Sequence, residues 1–571
     1  MRAILAFIRA YPGQTAVVLA SLFLAGMVEG MSLTALLPAI SVAFDRDQGR
    51  SAGGASGVAV EALRHLGIEP SITSLLVVLV VGSVATSAIG LLARRQVGYT
   101  VAQVATDLRL ALLRALVSAR WEYYLRQPVG RLTNAISTEA SGAAQAYLFA
   151  ATMTASAIQA IAYTTVALAV SWKATLAYVA AATVTAAILH RLVIVARKAG
   201  RRQNKVLARM IAGLADTLQS VKPLKAMARE DLADGVLAAQ TLDVDRAMRR
   251  QVISKEGRRA AQQPIFTGMI ALGTWAGLEL WHLPMAKVLV LMLLLAKVLG
   301  NFGKVQGDYQ DLASSETFYW SLRATLDDAE QHLEALTGTA APRLDRGIAF
   351  EAVDFGYGAT RVLSGCSLEI PAGSCTTLIG ESGAGKTTVV DLIVGLVRPQ
   401  AGRVRIDGVD LGDLDLRAWR RMIGYVPQEN LLLHDTVLRN VTLGDPALGP
   451  RDAEEALRAA GVWEFIARLP DGLGTLVGER GARFSGGQRQ RIMIARALVH
   501  RPRLLILDEA TAALDPATEA EVRETLAALR GRVTVLAISH QRALVDVADR
   551  VYRIGKGGAD LEIDRPELRR S

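Results

Sequence analysis

The chain has 571 residues, of which 51% are apolar, and a formal net charge of +10. Its mean hydropathy of +0.28 is high for a soluble protein, and its length corresponds to about three or four domains. The basic residues flank long apolar stretches and do not alternate with aromatic residues, which argues for a membrane protein and against a nucleic-acid-binding one. Cys366 and Cys375 lack metal-ligand spacing and predict no disulfide framework, only ordinary buried thiols.

Six apolar stretches in the first half predict six membrane-spanning helices. A helix needs about 20 apolar residues to cross the hydrocarbon core, and longer stretches tilt or extend beyond it. The predicted spans are residues 15–44, 72–93, 141–170, 175–195, 266–280 and 285–302. Because only residues 1–14 precede the first span, we expect no leader-trimming peptidase domain ahead of it.

The distribution of Lys and Arg predicts the orientation of these spans. Two long segments, 96–140 and 196–263, are rich in both residues. The loops on the other side hold only Arg46, Arg50, Arg64 and Lys173. Because basic loops remain in the cytoplasm, we expect an integral, multi-pass protein of a bacterial inner membrane with both termini in the cytoplasm. The basic segments have helical patterns, so the spans are expected to continue as helices beyond the bilayer.

Two ionisable residues within the predicted spans, Glu29 and Lys297, are candidates for substrate contact, because a charged group in a bilayer is costly. Lys297 lies about 15 Å deeper along its helix than Lys287. One hypothesis is that Lys297 faces a central cavity and attracts an anionic head group. The alternatives are an internal Glu29–Lys297 ion pair and a lysine whose ammonium reaches the inner membrane interface.

A glycine-rich loop in the second half fits the pattern G-x-x-x-x-G-K-[ST]. It lies between runs that predict a strand (375–379) and a helix (389–396), which is the context a phosphate-binding loop requires. Its glycines let backbone N–H groups point at anionic oxygens, and the helix N-terminus adds a positive dipole end. Lys386 would reach the β- and γ-phosphates, and the Thr387 hydroxyl would bind Mg²⁺. The loop consists of Gly380, Glu381, Ser382, Gly383, Ala384, Gly385, Lys386, Thr387 and Thr388.

Five further stretches accompany this loop. Asp508 and Glu509 end a buried strand, where Asp508 would support the metal and Glu509 would polarise a water for attack. Gln428 follows another strand and would meet Mg²⁺ or that water. Tyr357 would stack on adenine, and His540 would touch the γ-phosphate. A helix is predicted to begin near residue 489, and its N-terminus would also bind a phosphate. The residues before it are Ser485, Gly486, Gly487 and Gln488.

Each of these stretches has a simpler explanation when it is considered alone. A serine followed by two glycines and a glutamine is commonly a turn, and two acids after an apolar run commonly cap a helix. A single histidine is usually structural, and an exposed tyrosine in a turn needs no ligand. The combination behind a phosphate-binding loop is what indicates nucleotide chemistry.

The second half resembles the nucleotide-binding domain of an ATP-binding-cassette (ABC) transporter, and the whole chain resembles a half-transporter of the exporter fold. By this resemblance the glycine-rich loop is Walker A, and Asp508 and Glu509 are Walker B and the catalytic glutamate. Tyr357 is the A-loop aromatic, Gln428 the Q-loop and His540 the switch histidine. The signature is 485–488, the D-loop is 513–515, and Phe484 stands where the family usually has leucine.

The resemblance implies a fold class: a polytopic α-helical membrane domain of six transmembrane helices, followed by a P-loop α/β nucleotide-binding domain. We assign residues 1–336 to the first domain, 337–346 to a linker and 347–571 to the second. Turns near 123–131 and 214–225 would be the coupling helices. The implied cofactors are ATP and Mg²⁺.

The resemblance also implies partners. The signature of one copy closes over the Walker A nucleotide of another, so the chain is expected to act as a dimer in the lipid bilayer. A homodimer is favoured over a heterodimer, because Glu509 and His540 are both present. The expected activity is ATP-driven export or flipping of an amphipathic substrate, which would be a lipid, glycolipid, peptide or drug. The alternatives are import of a siderophore-like ligand and an ATP-gated channel.

Overall fold

The computed structural model describes residues 9–34, 72–181, 221–428, 431–509, 527–539, 542–555 and 557–565, with single positions between 183 and 217 and at 524. The chain forms two compact units. The first comprises residues 1–119 and 123–333, and the second comprises 120–122 and 334–571.

The part of the chain before residue 334 is helical. Its helices are α1 (Pro12–Thr34), α2 (Ile72–Val117), α3 (Trp121–Arg126), α4 (Val129–Asn134), α5 (Ala140–Val170), α6 (Val221–Ala226), α7 (Glu230–Glu279) and α8 (Met285–Gln331). A π-helical turn, Ala135–Glu139, joins α4 to α5, and residues 172–181 are helical as well.

Every predicted span coincides with helix wherever its residues are described, except at Leu280, which lies in the turn after α7. Within the described part of the chain, three helical stretches are long and apolar enough to cross a membrane: Leu76–Val117, Val129–Val170 and Met285–Gln331. The predicted continuation beyond the bilayer is also present. Helix α2 has 46 residues and is therefore about 69 Å long, more than twice the thickness of the hydrocarbon core.

Small residues allow α5 and α8 to pack closely, as is common between membrane helices. Ala143, Ala146 and Ala150 on α5 are buried, and a Cβ added at Gly142 would overlap the ring of Phe318 on α8. A polar contact reinforces the pair, because Ser321 Oγ on α8 donates to Glu139 Oε1 at 3.0 Å.

The corner between α2 and α5 differs from the sequence prediction. We expected the helical pattern to continue through the basic segment, but α2 already ends at Val117 and two short helices follow. Tyr123 in the first of these is buried and stacks on His332 with 5.1 Å between ring centroids. Arg109 closes the corner, donating from Nε to the Ile136 carbonyl at 3.1 Å and from Nη2 to Ser141 Oγ at 2.6 Å.

The second unit is an α/β domain. Its strands are β1 (Gly347–Tyr357), β2 (Thr360–Pro371), β3 (Cys375–Ile379), β4 (Ala401–Ile406), β5 (Val409–Asp410), β6 (Ile423–Val426), β7 (Leu504–Asp508), β8 (Thr534–Ile538), β9 (Arg550–Gly555) and β10 (Gly558–Asp564). Its helices are α9 (Lys386–Val394), α10 (Leu416–Arg421), α11 (Val437–Thr442), α12 (Pro450–Ala459), α13 (Trp463–Ala467), α14 (Gly486–Leu498) and α15 (Arg542–Val547).

These strands form two sheets. The smaller is antiparallel, with the order β2-β1-β4-β5, and the larger has the order β10-β9-β3-β8-β7-β6. In the larger sheet β6, β7, β8, β3 and β9 are mutually parallel, and only β10 is antiparallel. Strands β7 and β8 are buried along their whole length, which explains why they read as continuous apolar runs in the sequence.

Both cysteines lie in this domain and are buried and unpaired. Burial raises the pKa of the Cys366 thiol to about 11 and that of the Cys375 thiol to about 12. Thiols protonated at neutral pH are poor nucleophiles and poor metal ligands, which agrees with ordinary buried thiols.

The end of α9 is fixed by side chains from α10. The indole Nε1 of Trp419, which is fully buried, donates to the Ile393 carbonyl at 2.8 Å. Arg420 donates to the carbonyls of Val394 and Gly395 at 3.1 and 2.7 Å, and it pairs with Glu334. Carbonyls at the end of a helix have no partner within it, so these contacts anchor the helix that follows the phosphate-binding loop.

We predict that Trp419→Phe lowers the free energy of unfolding of the second unit by about 2 kcal/mol, because the Ile393 carbonyl is left buried without its donor. Pulse proteolysis across a urea series on the full-length protein in detergent measures this. The matched control is Trp463→Phe, at a half-buried tryptophan that packs under Arg458. Equal losses in the two variants would contradict the role given to the Trp419 hydrogen bond.

Candidate nucleotide-binding site

The parallel strands bring most of the predicted site residues to one edge of the larger sheet. The glycine-rich loop follows β3, Asp508 ends β7 with Glu509 directly after it, and Gln428 comes two residues after β6. All three strands point the same way, so their carboxyl ends meet at one edge. Ligands of open α/β sheets bind at that edge.

The loop between β3 and α9 has backbone dihedral angles that only glycine adopts readily. Gly380 and Gly385 have φ values of 143° and 103°, in a region that strains any residue with a Cβ. A Cβ at Gly380 would also overlap the carbonyl oxygen of Ile554 on β9. The glycines of the motif are therefore required by the fold of the loop.

Lys386 is the first residue of α9 and is buried. Its Nζ donates to the carbonyls of Gly380 and Glu381 at 2.7 and 2.9 Å, which holds the ammonium inside the curve of the loop. The N-terminus of α9 adds its unpaired N–H groups beside this charge. The ammonium and these N–H groups together give the loop the positive charge that suits a phosphate.

Asp508 is a buried carboxylate at the carboxyl end of β7. Burial raises its pKa, an effect opposed by hydrogen bonds from Tyr425 and Thr387. The Tyr425 hydroxyl donates to Asp508 Oδ2 at 3.2 Å. The hydrogen bond between Thr387 and Asp508 shows that the two residues predicted to bind the metal lie next to each other. Tyr425 was missed by the sequence analysis, because a tyrosine within a strand carries no motif.

Mg²⁺ suits the chemistry of this group. Carboxylate and hydroxyl oxygens are ligands that Mg²⁺ accepts, and it commonly takes only one or two from protein and the rest from phosphates and water. In the described residues no three His, Cys, Asp or Glu side chains cluster as a metal site. Thr387 and Asp508 would hold the ion directly or through water, and Gln428 is the third predicted contact.

Glu509 and Gln428 touch each other. Gln428 Nε2 donates to Glu509 Oε2 at 2.7 Å, so two residues predicted to handle the attacking water lie side by side. Glu509 has a φ of 48°, which is uncommon for a residue with a side chain, and its N–H donates to the Ile538 carbonyl at 3.0 Å. Such strained backbone is typical of sites where a side chain must be held in one direction.

Tyr357 ends β1, with about a third of its surface exposed. Its ring packs edge-on against Phe355, with 4.9 Å between centroids. Its hydroxyl donates to Asp391 Oδ2 on α9 at 3.3 Å. Burial, helped by the negative charge of Asp508, raises the pKa of Asp391 to about 6. Asp391 is a second residue that the sequence analysis missed.

The signature residues form the start of α14. The helix begins at Gly486, and the prediction of a start near residue 489 was wrong. Ser485 explains the difference, because its Oγ accepts from Gln488 N–H at 3.3 Å while Gln488 Oε1 accepts from Ser485 N–H at 2.9 Å. This reciprocal cap lets the helix begin on two glycines. Their N–H groups therefore lie at a helix N-terminus, where they can bind a phosphate.

Phe484 and Arg496 anchor this helix. Phe484 is buried and packs edge-on against Phe465 at 5.8 Å, so the larger ring in place of leucine is accommodated. Arg496 donates to the backbone carbonyl and the side-chain oxygen of the buried Asn440 at 2.7 and 2.8 Å. The Asn440 side chain also accepts a hydrogen bond from the Leu433 N–H and donates one to the Leu433 carbonyl. These contacts connect the signature helix to the segment that follows Gln428.

His540 and the predicted D-loop, 513–515, lie outside the described residues. The neighbouring Ser539 is described and buried, and its N–H donates to the Leu378 carbonyl at 3.2 Å. The role given to His540 therefore stays a prediction.

Family comparisons agree with both halves of the chain. The model of the ABC transporter transmembrane region matches residues 15–301, which is half of the chain, and the model of the ABC transporter domain matches residues 363–512. This order confirms the predicted fold class of a helical membrane domain followed by a P-loop α/β domain.

Known proteins of similar sequence agree with the family models. The ATP-dependent lipid A-core flippase of Chromobacterium violaceum is 32% identical, over 80% of this chain and 79% of the flippase. The mycobactin import ATP-binding/permease protein IrtB of Mycolicibacterium thermoresistibile is 40% identical, over 51% of each chain. The chain thus spans about half the length of that relative.

A solved structure shows the same fold over nearly the whole length. It is a bacterial Atm1-family ABC exporter with ATP bound, with a TM-score of 0.79 at 22% identity, covering 99% of this chain and 96% of that one. With the phosphate-binding loop, the acidic pair and the capped signature helix in place, this chain belongs to the ABC transporter family, as a half-transporter that joins a multi-pass membrane region to an ATP-hydrolysing domain.

Proposed function

We propose that two copies of this chain form an ATP-driven exporter or flippase that moves an amphipathic substrate out of the cytoplasm or the inner leaflet. The observation that carries this proposal is the assembly of Lys386, Asp508, Glu509 and Gln428 at one edge of the nucleotide-binding sheet. Relatives named as lipid A-core flippases support the direction and the lipid-like substrate.

The chemistry follows from the positions of these side chains. The loop and Lys386 bind the phosphates of ATP and neutralise their charge. Thr387 and Asp508 would hold Mg²⁺, which would supply positive charge to the phosphate oxygens. Glu509 orients a water for in-line attack on the γ-phosphate and takes up its proton. Gln428 keeps the Glu509 carboxylate in place through the 2.7 Å hydrogen bond.

A second copy supplies the missing half of each site. One chain has one phosphate-binding loop and one signature, and they belong to separate elements, β3–α9 and α14. In the proposed homodimer the signature N–H groups of one copy bind the γ-phosphate held by the other. ATP then favours the closed pair and hydrolysis removes that preference, so the membrane helices alternate between two states. The short helices α3, α4 and α6 are the proposed coupling elements.

The proposed setting is a bacterial inner membrane with both termini in the cytoplasm, which the basic segments support. Import is the second candidate, because the relative IrtB is named as an import protein. Inside-out vesicles separate the two directions: ATP-dependent accumulation of a labelled amphipathic lipid in their lumen or inner leaflet supports export, and ATP-dependent release supports import.

We predict that Glu509→Gln lowers ATP hydrolysis by about 100-fold or more while ATP still binds, because the amide keeps the shape of the side chain but cannot accept the proton. Steady-state ADP formation and fluorescent-nucleotide binding on purified protein measure the two effects. Glu464→Gln is the matched control, since the Glu464 side chain is 80% exposed. A wild-type rate of ATP hydrolysis in Glu509→Gln would contradict the catalytic role given to Glu509.

A further inference from the structure

Tyr425 makes a contact that the proposed chemistry does not use. It lies on β6, the edge strand of the larger sheet, and its hydroxyl donates to Asp508 Oδ2 at 3.2 Å. Asp508 is 4% exposed, so water has little access to its carboxylate. Hydrogen bonds to an ionised carboxylate are among the stronger ones in proteins. The Tyr425 hydroxyl therefore acts directly on a residue that is predicted to support the metal.

The register of the sheet explains how the two side chains meet. Tyr425 pairs with Ile506 on the neighbouring strand β7. Side chains two residues apart on a strand point to the same face, so Asp508 lies on the face of Ile506. An aromatic side chain is long enough to reach such a diagonal neighbour. A tyrosine at this position of β6 can therefore place its hydroxyl at the end of β7.

Strand β6 supplies one partner to each acid of the pair. Tyr425 donates to Asp508, and Gln428, which follows the end of β6, donates to Glu509 at 2.7 Å. Two donors from one strand thus meet two adjacent acids at the end of the next strand. The acid predicted to support the metal and the acid predicted to polarise water are held by different donors.

The Tyr425 hydrogen bond is not needed to join the two strands. Ile423–Val426 pairs in register with Leu504–Leu507 through the parallel backbone ladder. Loss of one side-chain hydroxyl would leave this ladder in place. The contact is therefore better explained by its effect on the Asp508 carboxylate than by the cohesion of the sheet.

Two donors from different elements hold that carboxylate. Thr387, on α9, bonds it from the side of the phosphate-binding loop, and Tyr425 bonds it from β6. The last torsion angle of an aspartate has a broad energy well, so an unsupported carboxyl group rotates easily. With both donors in place its orientation is fixed in advance, and a group that is already in position loses less entropy when it binds a ligand.

We propose that Tyr425 is a positioning residue for the metal, which acts through Asp508 by holding its carboxylate in the orientation that would support Mg²⁺. The proposal rests on the role proposed for Asp508 in ATP hydrolysis. It gives the Tyr425 hydroxyl no contact with the nucleotide or with the attacking water. Loss of this hydroxyl therefore weakens the binding of the metal and leaves the binding of the metal-free nucleotide as it was.

The test compares metal-dependent with metal-independent nucleotide binding. Full-length protein in detergent is titrated with a fluorescent ADP, first in EDTA and then at increasing Mg²⁺, so that no hydrolysis intervenes. We expect Tyr425→Phe to raise the Mg²⁺ concentration that gives half of the metal-dependent gain in affinity about fivefold, because a hydrogen bond to a charged group is lost while the ring remains. Its affinity for the nucleotide in EDTA should equal that of the wild type.

Tyr552→Phe is the matched control. Tyr552 lies on β9 of the same sheet and is 5% exposed, and its hydroxyl accepts a hydrogen bond from the Glu369 N–H at 3.1 Å. This variant should need the same Mg²⁺ concentration as the wild type. Equal shifts in the two variants, or weaker binding by Tyr425→Phe in EDTA, would indicate a general loosening of the domain and overturn the positioning role. A wild-type Mg²⁺ requirement in Tyr425→Phe would overturn it as well.

A double-mutant cycle separates failure of this proposal from failure of the proposed function. Asp508→Ala removes the acceptor and should lose most of the metal-dependent gain, and Tyr425→Phe should change nothing further in that background, because the hydroxyl acts only through the carboxylate. Binding in EDTA shows that each variant is folded. A further loss in the double variant would contradict the route through Asp508. A wild-type Mg²⁺ requirement in Asp508→Ala would instead count against the role of Asp508 and so against the proposed chemistry.

Discussion

The carboxyl edge of the parallel sheet is the constraint on which the rest of the second unit depends. Strands β3, β6 and β7 run in the same direction, so residues far apart in sequence meet where these strands end. Lys386, Gln428 and Asp508 owe their proximity to this geometry. Trp419 and Arg420 then hold the far end of α9, which keeps the phosphate-binding loop in a fixed position against the sheet.

Much of this edge could be predicted from the sequence, because buried parallel strands have a strong signal. The predicted strand at 375–379 is β3 itself, and the acidic pair was placed at the end of β7. The start of α14 was predicted three residues too late. Two adjacent glycines suggested a loop, but the reciprocal bonds of Ser485 and Gln488 let the helix begin on them. Such a cap outweighs the low helix propensity of glycine.

Other residues of the site could not have been found from the sequence. Tyr425 and Asp391 lie within a regular strand and a regular helix, and only the packing of α9 against β1 and the pairing of β6 with β7 bring them to Tyr357 and Asp508. In the membrane region the sequence predicted spans and one unusual lysine, Lys297. It could not show that Lys297 lines a cavity together with residues of α2, since that depends on how the helices pack.

The central claim is that the phosphate-binding loop of one copy works with the signature of another. Two differently tagged chains test it, one with Glu509→Gln and one with Ser485→Arg, co-expressed and purified through both tags so that only mixed pairs are assayed for ADP formation. Each variant paired with itself spoils both sites. If the sites are shared, the mixed pair concentrates both defects in one site and leaves the other intact, so hydrolysis returns well above that of either parent pair. Mixed pairs as inactive as their parents would mean that each copy completes its own site, and the account would be wrong.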